Sequence, residues 1–257
     1  MRVAPSGLSQ GRDVFRTVHV AALVLCAIAL PWSKALLSMA QLLLVANWLV
    51  EGALRGDLKG RFGRAFTTAP RLVFLSFFAL HLVGLLWTDD TAWGMGLVRI
   101  LAPVLVFGVV LGSSPRLLAD ELRMILLLGA WSVAVSTVAC LIARHGLTGD
   151  YRSLSVFISH IRLTLLLCLA VFVFLWDRGG PGWLRVAGYF AAAWSIFFID
   201  RLGSIQGYFI LAVIAVVFFW RWVGSQGMVV RLGMRSLIVV VPLALVAIGW
   251  VEVRQRY

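Results

Sequence analysis

Long apolar runs, separated by short polar and basic breaks, follow one another along almost the whole chain. Each run has roughly the length that an α-helix needs to cross the hydrocarbon layer of a bilayer, about 16 to 22 residues. The pattern predicts an all-α, polytopic helical bundle of about nine spans, in which residues 1–257 form a single integral membrane domain. The predicted spans are 17–33, 35–53, 71–87, 94–112, 122–143, 160–176, 184–199, 203–220 and 236–251.

The composition excludes a soluble domain. Apolar residues make up 61% of the chain and charged residues 13%, which is too apolar even for a peripheral amphipathic binder. The net charge of +12 would suggest nucleic acid as a partner of a soluble protein. Here the basic residues lie mostly in short loops, which predicts membrane topology and contact with membrane lipids instead, with no nucleic acid.

The basic loop at 51–71 sets the predicted orientation. With the N-terminus in the cytoplasm and nine alternating spans, 15 of the 23 lysines and arginines fall on the cytoplasmic side. This excess predicts a cytoplasmic N-terminus by the positive-inside rule.

The remaining eight basic residues work against that bias, and five of them lie near the outer ends of spans. These five are Arg99, Arg144, Arg152, Arg162 and Arg201. Guanidinium groups can bind phosphate in a bidentate way, so convergence of these ends would form a cleft for an anionic, lipid-borne ligand such as a diphosphate. Two alternatives stay open: the arginines anchor the chain at the interface, or they pair with neighbouring acids such as Asp200.

Other polar residues point to no complete catalytic motif. His160 lies two residues before Arg162 and is a candidate base or phosphate ligand, while Ser159 is expected to cap the following helix. His19 and His81 lie within spans, where packed and hydrogen-bonded imidazoles are expected. No metal site is predicted, because adjacent acids in a turn rarely complete a cation shell.

Four stretches, taken in order, resemble the O-antigen ligase family, which also contains O-antigen polymerases. They are LPWSKALLSMAQLLLVANWLVEG, LLWTDDTAWGMGLVRILAPVLVF, SVFISHIRLTLLLCLAVFVF and FFIDRLGSIQGYFILAVIAVV. The most specific part is ISHIR, which contains His160 and Arg162. The fourth stretch departs from the family pattern, since Asp200 stands where the family commonly has serine before the arginine.

The resemblance implies a GT-C-like glycosyltransferase of the bacterial inner membrane that needs no metal or other cofactor. Such an enzyme takes a glycan from undecaprenyl diphosphate at the periplasmic face and passes it to lipid A-core or to another glycan acceptor. Carried over, Arg162 and Arg201 would bind the diphosphate, with His160 and Arg99 as further substrate-binding candidates. The family's catalytic histidine lies in a large periplasmic loop that would follow Tyr257, so the chain is expected to be the N-terminal part of a longer architecture, with no catalytic residue assigned.

Two other classes of function stay open. A transporter or flippase of the same lipid-linked glycan would show internal repeats and interrupted helices. A non-catalytic membrane scaffold would need no substrate site.

Overall fold

The computed structural model describes residues 7–144 and 154–224, with side chains described from Val14 to Arg144 and from Leu154 to Val223. This part of the chain is all-helical and contains no strand. The predicted ninth span and Arg152 lie outside the described residues.

Nine α-helices and one short 3-10 helix form this part of the chain. Their bounds are α1 Gly7–Ala29, α2 Lys34–Leu54, α3 Leu58–Ala65, α4 Ala69–Gly84, a 3-10 turn Leu85–Trp87, α5 Thr91–Ser113, α6 Ala119–Ala143, α7 His160–Trp176, α8 Gly182–Arg201 and α9 Ile205–Gly224. Six of the helices are long and apolar enough to cross a membrane, and Val14–Ala29 and His160–Trp176 are shorter apolar helices. The chain therefore has the features of a multi-pass membrane protein; the count of nine spans stays a prediction.

Side chains near the polar breaks start several helices. The Ser33 hydroxyl accepts from the backbone N–H of Ala35 at 3.2 Å, and the Asp90 carboxylate accepts from that of Trp93 at 2.9 Å. These contacts satisfy orphan donors of a helix N-terminus. The start of α6 meets the end of α7 through Arg123 and Asp177, and the last turns of α2 and α5 meet through Trp48 and Ser113, so successive long helices alternate in direction.

The helix ends consequently fall on two sides. The side where α2, α5, α7 and α9 end is called the basic end, and the opposite side is called the distal end. Eleven of the sixteen lysines and arginines with described side chains lie at the basic end. A cytoplasmic basic end would satisfy the positive-inside rule, and this orientation stays a prediction.

Two apolar cores hold the bundle together. One lies among α6, α7, α8 and α9 around Leu167 and Phe198, and the other lies among α1, α2 and α5 around Leu44 and Trp48. Helix α1 packs on both α2 and α6 and so joins the two cores.

Tryptophans serve both as exposed interface residues and as buried hydrogen-bond donors. Trp87 and Trp183 are largely exposed near helix ends, as an aromatic belt requires. Trp48 is instead buried, and its Nε1 donates to Ser113 Oγ at 2.8 Å. The bond joins α2 to α5 and satisfies a donor that the surrounding helices shield from water.

Candidate substrate-binding site

The predicted site residues His160, Arg162 and Arg201 lie on helices that meet at the distal end. Helix α7 begins there, α8 ends there, and α9 begins after a turn in which Gly203 has a φ of +56°. This positive φ is a conformation that glycine adopts without steric cost. The sequence Arg201–Ile205 can therefore reverse direction in a short space.

Gly207 allows the three helices to approach closely. A Cβ atom at this position would lie 2.6 Å from Thr164 Cγ2 on α7 and 2.8 Å from Ile199 Cγ2 on α8. The Cys168 thiol also lies 3.7 Å from the Gly207 carbonyl, to which it can donate. Close approach of backbones at small residues is the usual means of packing membrane helices, and here it holds α7, α8 and α9 in one junction.

Arg201 remains accessible at this junction. Its Cζ atom lies 5.1 Å from the centre of the Phe197 ring, and its side chain is 50% exposed. The contact with Asp200 is long, with 3.9 Å between Arg201 Nε and Asp200 Oδ2. Exposed pairs of this kind contribute at most about 1 kcal/mol, so Asp200 leaves most of the guanidinium free to bind an anion.

Asp200 has a second partner. Its Oδ1 atom accepts a hydrogen bond from the Tyr208 hydroxyl at 2.8 Å, which ties the last turn of α8 to the first turn of α9. The aspartate that departs from the family pattern therefore connects two helices. Neutralising Arg201 is therefore not the only role of Asp200.

Arg162 lies exposed in the first turn of α7. It forms no salt bridge or side-chain hydrogen bond with any residue in the described part of the chain. The residues at positions i+4, i+7 and i+11 from an arginine lie on the same side of a helix. On α7 these are Leu166, Leu169 and Val173, so Arg162 stands at the distal end of an apolar stripe.

This stripe forms one wall of an apolar cavity, which we call the α7 groove. The cavity has a volume of about 260 Å³, and its other walls come from α1, α5 and α6 through residues that include Leu23, Phe107 and Gly129. Leu169 is half exposed, so the groove opens at the side of the bundle. An accessible arginine therefore lies one helical turn from an apolar groove.

His160 begins α7 and is half-buried. Its carbonyl accepts from the Thr164 hydroxyl at 2.8 Å, and its side chain shares the helix face of Thr164. The expectation for Ser159 is wrong in part: it occupies the N-cap position, but its side chain makes no capping hydrogen bond. Its backbone carbonyl accepts from the Leu163 N–H at 3.0 Å, which is the first hydrogen bond of the helix.

Arg99 lies on a helix whose main packing neighbours differ from those of α7. It is exposed on α5, which packs on α2, α3 and α4, whereas α7 packs on α6, α8 and α9. Arg144 is exposed at the end of α6. The structure thus brings together the helices of Arg162, Arg201 and His160, whereas α5, the helix of Arg99, meets α7 only as a wall of the α7 groove, through Phe107.

No group of three or more histidine, cysteine or acidic residues is placed to hold a metal ion within the described residues. Sequence reasoning selected the arginines as candidates and did not predict the α7 groove. The spacing along α7 predicts one wall of the groove, because Arg162, Leu166, Leu169 and Val173 share one helix face. The other walls depend on how α1 and α6 pack against α7, which no local sequence pattern specifies.

Comparison of this chain with protein-family models, with curated proteins and with solved structures finds no match. The resemblance to O-antigen ligases therefore stays a prediction.

Proposed function

We propose that the chain is an O-antigen ligase-like membrane glycosyltransferase that binds an undecaprenyl-diphosphate-linked glycan at its distal end. The observation that carries this proposal is the placement of Arg162 at the head of the α7 groove. A polyprenyl diphosphate has a charged head and a long apolar tail. Arg162 suits the head and the groove suits the first part of the tail.

Arg201 supplies a second guanidinium on the neighbouring helix. Two planar forks can bind the several oxygens of a diphosphate through charge-assisted hydrogen bonds. Both arginines lie at the predicted bilayer edge, where a lipid phosphate resides, and charged residues there mark substrate sites by default. In this proposal the distal end faces the periplasm.

The arginines would act on the leaving group. In glycosyl transfer the bond between the sugar carbon and the diphosphate oxygen breaks, and a bond from that carbon to an acceptor hydroxyl oxygen forms. Negative charge increases on the departing diphosphate, and preorganised guanidinium groups stabilise such charge. The acceptor's proton leaves to a general base, which we assign to none of the four candidate residues.

The transporter alternative gains little from the described helices. Interrupted helices are its expected mark, yet α5 continues as one helix from Thr91 to Ser113 through Pro103.

Replacing both Arg162 and Arg201 by alanine tests the proposal. Transfer from undecaprenyl-diphosphate glycan to a lipid A-core or glycan acceptor would be measured in proteoliposomes, with chain abundance followed by immunoblot. We expect the unaltered chain to transfer the glycan and the double variant to lose transfer while abundance is unchanged; absence of transfer by the unaltered chain would contradict the proposed activity. The matched control is Arg178→Ala with Arg185→Ala, which removes the same charge at the basic end and should retain transfer. Normal transfer by the Arg162/Arg201 double variant would exclude the proposed site.

A further inference from the structure

A second cavity, distinct from the α7 groove, lies at the basic end between α1, α2 and the loop that precedes α6. Its volume is about 310 Å³, which is within the range of small-ligand sites. The charged and polar residues in its lining are Arg16, His19, Glu51, Arg55, Ser114, Arg116 and Glu121.

Both carboxylates in this cavity are already engaged by arginines. Arg16 binds Glu121 through Nε and a terminal nitrogen, both at 2.8 Å. Glu51 binds Arg55 at 2.5 Å and also the buried Arg61 at 2.8 Å. Three arginines and two glutamates line the cavity itself, so the lining carries one excess positive charge.

Arg116 supplies that excess charge. It lines the cavity from the loop before α6, and it forms no salt bridge or side-chain hydrogen bond with a described residue. Arg55 is held beside it in a fixed position, with its Cζ atom 5.8 Å from the centre of the Phe15 ring and its ion pair to Glu51. One cation is therefore available and a second is preorganised.

His19 adds an unsatisfied polar atom. The expectation that His81 is hydrogen-bonded is confirmed by its contact with the Phe77 carbonyl at 2.7 Å. The same expectation is wrong for His19, because its buried Nε2 has no hydrogen-bond partner within the described residues. Buried polar atoms are nearly always paired in proteins, and a rotation of the His19 ring toward the cavity that it lines would give Nε2 a ligand oxygen as its partner.

We propose that this cavity binds a phosphate-class anion, with Arg116 as the main cationic contact, Arg55 as the second and His19 Nε2 as a hydrogen-bond donor. Guanidinium forks match the geometry of phosphate oxygens. The cavity lies where the ends of predicted spans meet the interface, so the phosphate comes either from the headgroup of an anionic lipid or from a free solute.

The test measures both sources on the full chain in nanodiscs. Labelled inorganic phosphate is titrated onto the chain in phosphatidylcholine nanodiscs. In parallel, native mass spectrometry counts the phosphatidylglycerol retained by the chain from mixed nanodiscs. Each measurement is repeated with Arg116→Ala, with Arg178→Ala as another exposed cation of the same end, and with His19→Leu and His19→Gln.

We expect Arg116→Ala to weaken binding about tenfold or more, as loss of a charge-assisted hydrogen bond does. Arg178→Ala should change it less than about twofold, because exposed cations outside the cavity contribute little. His19→Leu should weaken binding and His19→Gln should restore it, since the glutamine amide can donate in place of Nε2. Retained phosphatidylglycerol without phosphate binding identifies a lipid headgroup, and phosphate binding in phosphatidylcholine identifies a free solute. Absence of both, or equal losses for Arg116→Ala and Arg178→Ala, would overturn the proposal.

Discussion

The junction of α7, α8 and α9 should fail when a single methyl group is added at Gly207. In Gly207→Ala the new Cβ would lie 2.6 Å from Thr164 Cγ2 and 2.8 Å from Ile199 Cγ2. Ordinary contact begins near 3.4 Å, so the helices must separate by nearly an ångström. Thr164 and Ile199 are fully buried and cannot turn into open space.

Overpacking of this kind costs about 1–3 kcal/mol. For a chain of this size that corresponds to a fall in melting temperature of roughly 2–12 °C. Thermal unfolding of the purified chain in detergent measures it. The control is Gly96→Ala on α5, where a Cβ would meet nothing within 4 Å and the change should be neutral or slightly stabilising.

A second substitution separates this explanation from a general effect of alanine. Thr164→Ser removes the Cγ2 atom in closest contact and keeps the hydroxyl that donates to the His160 carbonyl. Combined with Gly207→Ala, it should restore part of the lost stability. If Gly207→Ala melts within a degree of Gly96→Ala, or if Thr164→Ser restores nothing, the proposed packing of the junction is wrong.

Two further predictions concern contacts that connect helices. Asp177 accepts two hydrogen bonds from Arg123, at 2.6 and 3.0 Å. These bonds hold the pKa of the Asp177 carboxyl below its usual value. The stability that they contribute is therefore present above the unfolded pKa of about 3.9 and is lost as the pH falls through the lower folded pKa. Asp177→Asn should therefore lower neutral-pH stability by about 1 kcal/mol after discounting for solvent and should flatten the acid side of a melting-temperature profile; an unchanged acid slope would contradict it. Trp48→Phe removes the buried hydrogen bond to Ser113 and should lower the free energy of unfolding, measured by denaturant titration, by about 1–3 kcal/mol. The control Trp87→Phe alters an exposed side chain and should lower it by less than about 0.5 kcal/mol. Equal effects of the two substitutions would refute the role of the bond.

Hydropathy alone predicts where most of the long helices lie along the chain. The predicted span 160–176 coincides with α7 His160–Trp176, because polar residues flank an uninterrupted apolar run. Helix α1 begins earlier than its predicted span, at Gly7, because hydropathy marks the apolar part of a helix and not its polar extension.

Long-range contacts account for what the sequence did not reveal. Arg61 belongs to the basic segment 51–71, which the sequence pattern predicts to be a loop. It is nevertheless buried on the short helix α3, where it binds Glu51 and the Trp48 carbonyl. Nothing in the local pattern distinguishes it from its neighbour Arg64, which is exposed and pairs with Asp57. The α7 groove and the cavity beside His19 likewise depend on helices that are distant in the chain.

The central claim is that a lipid-borne phosphate binds at Arg162 with its tail in the α7 groove, and site-specific photo-crosslinking tests it most directly. A photoreactive amino acid at Leu169 would be irradiated in membranes that contain labelled undecaprenyl diphosphate, with Phe190 of α8, which is also exposed, as the control position. We predict a crosslink from Leu169 that falls about tenfold in Arg162→Ala and is absent from Phe190. Equal labelling at Leu169 and Phe190, or labelling at Leu169 that does not change in Arg162→Ala, would contradict the proposed site.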